Sequence, residues 1–453
     1  MKAIIPLLTA FLLPFTLFAD TNKTQSSWGE VEGLVRAYYV FDNAYIKSGS
    51  TIDYKIDASA IGGHLRYKTP VWSGLGATTA LYYAQDTGLN NFDDPNTIAG
   101  AGRFFTSDYS PKAILGELNL HYKSKEHYGT VGRMKIDSPL TNAITTYMSN
   151  MFEAALYENN ALDHTKITLA HAMNMAYGSR APVEFGLIGE KTFTAGVTQP
   201  ALDTRGEFIN VGSQVLQLSD GNLSTAGATT AGITAFSLTN TSLPHTKIRL
   251  WDFYGHDIIN MFYLDALYKD KKAPWSVAAQ YLRIDGVGEN LASAFLDDGN
   301  AYMLGLKGTY QYKKALLYLA YNHSGDAKIL NPWGGDPAYT SAFFSKNAYR
   351  SNVDAFKLGV NYAIKPNLKF LTSYAYYGKS TTSGTFPAIN LPDTPDALAL
   401  GQNDAIETSF LVSYNPIKKL NILTGLIYKT SEYYYQGSAV EIFDVDLLVT
   451  YKF

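Results

Sequence analysis

Val440-Glu-Ile-Phe-Asp-Val-Asp-Leu-Leu-Val-Thr-Tyr-Lys-Phe453 stands at the end of the sequence. One parity carries Phe443, Val445, Leu447, Val449, Tyr451 and Phe453; the other carries Ile442, Asp444, Asp446, Leu448, Thr450 and Lys452. Side chains on a strand alternate between faces, so one face is wholly apolar and the other mostly polar or charged. A strand of a soluble sandwich would bury that apolar face against a second sheet. A membrane barrel strand turns it to lipid and turns its polar face to a wet lumen. The second pattern is expected over nearly the whole chain.

Working outward, the same alternation recurs. In Glu30–Phe41, Val31, Gly33, Val35, Ala37, Tyr39 and Phe41 oppose Glu30, Glu32, Leu34, Arg36 and Tyr38. In Ile114–Lys123, Leu118, Leu120 and Tyr122 oppose Glu117, Asn119 and His121. From Lys247 onward ten segments repeat it: Lys247–Tyr254, Ile258–Tyr268, Trp275–Ile284, Ala301–Tyr312, Ala315–His323, Asp354–Ile364, Asn367–Gly378, Asp404–Tyr414, Leu420–Thr430 and Val440–Phe453. Ala58–Tyr67, Leu75–Gln85, Tyr128–Lys135 and Lys166–Ala176 are further strands, with Glu184–Thr194 and Thr229–Thr239 as weaker ones. Ile136–His164 mixes Met148, Met151 and Phe152 with carboxylates and is expected to be a long loop.

Connections alternate in length. Asp270–Pro274, Lys313–Lys314, Lys365–Pro366 and Asn415–Lys419 are tight; Asp285–Asn300, Ser324–Val353 and Lys379–Asn403 are long. Gly255–Asp257 breaks the rhythm. An up-and-down antiparallel barrel places every second connection on the same side, and outer-membrane barrels keep their periplasmic turns short. The expected fold is therefore all-β: a transmembrane antiparallel up-and-down β-barrel of about 18 strands, an even number in keeping with both ends on one side. No water in lipid satisfies an open strand edge, so the first and last strands must pair.

Composition bounds the rest. Met1–Ala19 has a lysine start, an apolar run and a small residue before Asp20, the pattern of a cleaved secretory signal. Residues 20–453 are expected to form the barrel. No later run of about 18 apolar residues spans a membrane as a helix. Tyr numbers 34 and Gly 37 against 5 Trp, which suits strands that end at a membrane interface. Cysteine is absent, so closure rests on hydrogen bonds rather than disulfides. A net charge of −3 points away from nucleic acid. There is no Gly-x-Ser-x-Gly elbow, no His-Glu-x-x-His and no phosphate loop. Asp93-Asp94 and Asp297-Asp298 lack calcium-loop spacing, and no cofactor or metal is expected.

Three stretches resemble the OprD-like outer-membrane porins: Val131-Gly-Arg-Met-Lys-Ile-Asp-Ser-Pro-Leu140, Trp251-Asp-Phe-Tyr-Gly-His-Asp257 and Pro332-Trp-Gly-Gly-Asp-Pro337. The Tyr-rich, Met-poor composition resembles porins of Campylobacter-type bacteria. The resemblance implies an 18-stranded barrel in the outer membrane of a Gram-negative cell, narrowed by inward-folded loops, that passes small hydrophilic solutes such as carboxylates or amino acids. It also implies outer-membrane lipid as surroundings, a homotrimer, and a constricting loop at Ile136–His164.

Arg36, Arg66, Arg133, Lys135, Lys307 and Lys357 fall on the polar parity of their strands, which makes them a candidate lumenal basic track; the plain alternative is pairing with lumenal carboxylates. Asp137, Glu153, Glu158 and Asp163 are candidate acidic residues of the constricting loop; alternatively they are solvated. Tyr451 and Phe453 are expected to mark barrel closure and the signal taken up by the barrel-assembly machinery. Two other functions compete with a passive channel. One is an outer-membrane enzyme or adhesin with its activity in the long loops. The other is a soluble exported all-β binding protein.

Overall fold

A computed structural model of the chain describes residues 28–46, 54–91, 110–142, 147–178, 206–214, 229–291, 300–327, 331–343, 351–380, 384–385, 399–400, 404–435 and 438–453. The expected secretory signal Met1–Ala19, the expected strand Glu184–Thr194, and Asp93-Asp94 and Asp297-Asp298 lie outside the described residues.

The wall runs in chain order through β1 (Glu30–Ile46), β2 (Tyr54–Lys68), β3 (Leu75–Asp86), β4 (Lys112–Lys123), β5 (His127–Met134), β6 (Met151–Asn159), β7 (Thr165–Ala176), β8 (Ile233–Asn240), β9 (Thr246–Gly255), β10 (Ile259–Tyr268), β11 (Trp275–Gly286), β12 (Ala301–Tyr312), β13 (Ala315–Ser324), β14 (Val353–Lys365), β15 (Leu368–Tyr377), β16 (Ala405–Ile417), β17 (Leu420–Tyr435) and β18 (Ser438–Lys452). These 18 strands are antiparallel throughout, each paired with its sequence neighbours. β18 returns to β1, with Lys452 opposite Leu34 and Val440 opposite Ile46, so neither edge is left open. At the seam Phe453 exchanges both backbone bonds with Gly33 at 3.1 Å, and its ring lies where a Gly33 side chain would be.

The two faces differ as the alternation requires. Val131, Leu65, Leu306, Leu319 and Leu358 are more than half exposed on the outside. Asp444 and Asp446 are buried on the inner parity, while Phe443 beside them is exposed. Trp275, Tyr312 and Tyr362 ring the short-turn end; Tyr254, Tyr302 and Tyr374 mark the other. An apolar belt between aromatic girdles is the surface of a barrel solvated by lipid. Short turns follow local chemistry. Ser73 and Gly74 both adopt positive φ (49° and 89°), and Trp72 and Leu75 exchange two 2.8 Å bonds across them, a type I′ hairpin.

Two expectations are corrected. Ile136–His164 is not one loop, because Met151–Asn159 is β6, paired with β5 and β7. The strand count is reached with β6, and β7 pairs directly with β8 over Thr165–Ala172. β6 escaped notice because its inner residues Phe152 and Ala154 are buried against loops that fill the lumen rather than facing water, which erases much of the polar half of the alternation. The second correction concerns Arg133, described below.

Candidate functional site: the lumenal constriction

Two long connections fold into the barrel and interlock. The first follows β5 and includes Lys135–Asn142 and Tyr147–Asn150; the second lies between β13 and β14. Asn331 is the clasp. Its side-chain amide donates to the Leu140 carbonyl (2.6 Å) and the Gly335 carbonyl (2.8 Å), and its oxygen accepts from the Trp333 amide (2.9 Å). Gly335 N–H donates to Leu140 O at 2.9 Å, Asn150 donates to Trp333 O at 3.1 Å, and the Tyr177 hydroxyl donates to Pro332 O at 3.0 Å. A Cβ on Gly335 would lie 2.3 Å from the Leu140 backbone, so only glycine permits this approach. Trp333, wholly buried, packs in a large apolar cluster with Leu140, Phe152, Phe253 and Met261. It also lies over Gly255, where the outer connection to β10 is short. The three stretches that carried the porin resemblance thus meet in one place.

The second loop is also tied to the wall it springs from and to nearby β16. Thr340 donates its N–H (2.9 Å) and hydroxyl (3.0 Å) to Asn322, Phe343 N–H donates to Glu407 (2.7 Å), and Lys357 Nζ donates to the Ser341 carbonyl (2.5 Å). Burial and the nearby Asp265 carboxylate push the Tyr339 phenol above its ordinary range, so it stays neutral and donates to Ala279 O at 3.3 Å.

Between these loops and the short-turn end lies a cavity of about 750 Å³. Six cations line it (Arg66, Lys68, Lys135, Lys166, Lys247 and Arg249) against four carboxylates (Glu117, Asp137, Glu158 and Asp336), with Trp251, Tyr263 and Tyr339 as aromatic walls. Four of the cations are neutralised locally. Arg66 forks onto Glu117 and reaches Glu32 at 2.6 Å, and Lys68 reaches Glu32 at 3.0 Å. Lys166 meets Glu158 at 2.5 Å, and Arg249 forks onto Asp265, its register partner on β10. Lys135 and Lys247 have no ion-pair partner among the described residues. The loop carboxylates are turned to their own turns: Asp137 accepts from Asn142 at 2.6 Å and Asp336 from Ser341 at 2.6 Å. With Glu32 and Asp265 counted, six cations meet six carboxylates, so the cavity carries no net excess; what it presents beneath its lid is two ammonium groups not held in ion pairs among the described residues.

Five of the six candidate basic residues face inward. Arg66 and Lys135 line the cavity. Arg36 bonds Thr450 across the seam at 2.9 Å. Lys307 lies 5.8 Å from the ring centres of Tyr318 and Tyr339, and Lys357 secures the loop. Arg133 faces outward. It stands opposite Leu118, which is 53% exposed, and shares its parity with Val131, while Thr130 and Met134 on either side line the cavity. Where β5 leaves the wall to enter the loop, β4 loses its neighbour. Arg133 bridges that gap: it donates to Leu115 O (3.3 Å) and Glu153 (2.8 Å), and its guanidinium lies 4.2 Å from the Phe208 ring centre. Of the candidate loop carboxylates, only Asp137 is in the inward loop. Glu153 and Glu158 are on β6, and Asp163 is exposed in the tight turn to β7.

Lys68, Lys166, Lys247 and Arg249 were not among the candidates. On β9 the inner parity reads Lys247, Arg249, Trp251, Phe253, half of it aromatic, which hides its charges. Counting every cation on the parity opposite the exposed leucines would have found them.

The fold and this interior define a class: the closed transmembrane β-barrel whose lumen is narrowed by inward loops. No protein-family model matches the sequence, and no curated protein matches it. Solved structures do. OccK9 (OpdG) of Pseudomonas aeruginosa superposes with a TM-score of 0.67 at 13% identity, covering 94% of this chain and 99% of its own. The P. aeruginosa outer membrane protein OpdK gives 0.67 at 12% identity over 94% and 98%. OpdK with vanillate gives 0.65 at 12% identity over the same shares. At such identities the likeness is one of fold.

Proposed function

We propose that the protein is an outer-membrane porin that passes small hydrophilic solutes by diffusion and prefers organic anions, carboxylates above all. The observation that carries this is the cavity with unpaired Lys135 and Lys247 under two interlocked loops. A carboxylate entering it exchanges water for ammonium donors without displacing an existing ion pair, so the preference needs no rearrangement. Arg66 and Arg249, already bound to carboxylates, hold the wall and contribute field more than contact. Trp251, Tyr263 and Tyr339 offer flat apolar faces to the remainder of the solute. OpdK, whose fold is shared, has been crystallised with vanillate, an aromatic carboxylate, which agrees with this chemistry.

The test is the reversal potential in a KCl gradient across planar bilayers. The wild-type protein should favour chloride, and Lys135→Gln with Lys247→Gln should move the potential toward cation preference at similar conductance. An unchanged reversal potential would remove both lysines from the site. Absence of conductance steps from a folded sample would remove the channel itself.

A further inference from the structure

The short-turn rim is unevenly charged. The β10–β11, β12–β13 and β16–β17 turns carry the pairs Lys271-Lys272, Lys313-Lys314 and Lys418-Lys419, with Lys269 beside the first. Asp270 is the single carboxylate in those three turns, and it lies 3.7 Å from His245 Nδ1. Five of the six lysines in these pairs are exposed and Lys419 is half-buried; none has an ion-pair partner among the described residues. The rest of the rim differs. The β2–β3 turn, Thr69–Gly74, has no charge, and Lys125 neighbours Glu126. Lys68 and Lys166 are held by Glu32 and Glu158.

Adjacent hairpins sit two strands, about 10 Å, apart. That is close to the screening length of about 8 Å at physiological salt, so the potentials of the β10–β11 and β12–β13 pairs overlap directly, and exposed Lys365 at the intervening β14–β15 hairpin links them into one arc with the β16–β17 pair four strands on. On the outer wall beside this arc, Trp275, Tyr310, Tyr312, Tyr414 and Ile417 are exposed. Ammonium groups thus extend just past an aromatic girdle, the arrangement that suits a lipid whose acyl chains lie against rings and whose headgroup carries a phosphate anion.

We propose that this arc selects acidic phospholipids from the leaflet that the short turns face. The inference rests on the membrane-barrel reading of the chain. The lipid phosphates accept from the lysine Nζ groups, and the β1–β8 side of the rim, where carboxylates such as Glu30, Glu126 and Asp163 accompany the cations, shows no such preference. The arc gives the barrel a lipid-specific sector and an uneven annulus.

The test is native mass spectrometry of the full chain released from mixed phosphatidylethanolamine and phosphatidylglycerol membranes. The wild-type barrel should retain phosphatidylglycerol above its share of the membrane, and the enrichment should disappear in high salt. Replacing the three lysine pairs by glutamine should abolish it, with apparent affinity falling by up to roughly fivefold per lysine removed. Lys123→Gln with Lys125→Gln, on the other side of the rim, should leave it intact. Equal retention by wild type and the six-fold variant overturns the proposal, as does equal loss in the control. If the six-fold variant does not fold, the Lys313→Gln, Lys314→Gln double variant should lose part of the enrichment, and a full complement overturns the proposal. Conductance in the same membranes separates the two readings: a conducting barrel without lipid preference sinks this inference alone.

Discussion

Asn331→Ala should loosen the constriction without unfolding the wall. The side chain is 8% exposed and makes three hydrogen bonds, to Leu140 O, Gly335 O and Trp333 N–H. Two of these bonds stay within the second loop and only the one to Leu140 O crosses between the loops. At about 1 kcal/mol net, with about 1.4 kcal/mol to a factor of ten, its loss should raise the population with the loops parted by about fivefold. The bonds from Asn150 and Tyr177 remain, so the loops should rejoin rather than stay open. Single-channel recording is the assay. The variant should show more frequent excursions to a higher conductance than wild type, on an otherwise similar baseline. The barrel-wall pairing is untouched, so resistance of the folded barrel to heat in a gel should change little. A trace with wild-type noise and conductance would show that Asn331 does not hold the constriction.

Other substitutions separate wall from lumen. Arg133→Gln should destabilise the barrel by about 1–2 kcal/mol, because a partly exposed bridge to Leu115 and Glu153 is lost, while the reversal potential stays at its wild-type value; a selectivity change without a stability change would return Arg133 to the lumen. Gly63→Ala places a Cβ 1.8 Å from the Leu34 carbonyl oxygen on β1, so the β1–β2 pairing cannot form as it stands. The variant should fail to give the compact, heat-modifiable form on a gel, and normal folding would show that the seam-side wall yields more than this geometry allows.

Much of the barrel was legible because lipid and water impose opposite demands on successive residues. β18 shows this plainly: Phe443 and Asp444 are neighbours in sequence and sit on opposite faces of the wall. Legibility failed wherever the lumen is filled by protein. Phe152 and Ala154 on β6 face inward against loops, so that strand loses its polar half there; Trp251 and Phe253 on β9 do the same and hide the charges of Lys247 and Arg249, although the strand itself was legible. Arg133 misled for a related reason. Near the rim the inner position belongs to apolar Met134, packed under the loop, and the outer position to a cation that mends a gap in the sheet. Charge therefore ceased to mark the wet face at that point. The clasp could not have been anticipated from spacing, since Asn331 and Leu140 are joined only by the fold. The stretches containing Leu140 and Gly335 nevertheless stood out by resemblance, and the structure supplies the reason: they touch.

A direct test of the two-faced wall uses the absence of native cysteine. Thr239 on β8 lines the cavity, and Leu238 beside it lies on the opposite, outward parity. In a lipid bilayer, a charged water-soluble thiol reagent should modify Thr239→Cys quickly and reduce the current through it. Leu238→Cys should stay unmodified until the membrane is dissolved. Equal modification of both cysteines, or modification of Leu238→Cys alone, would contradict a barrel that is greasy outside and wet within.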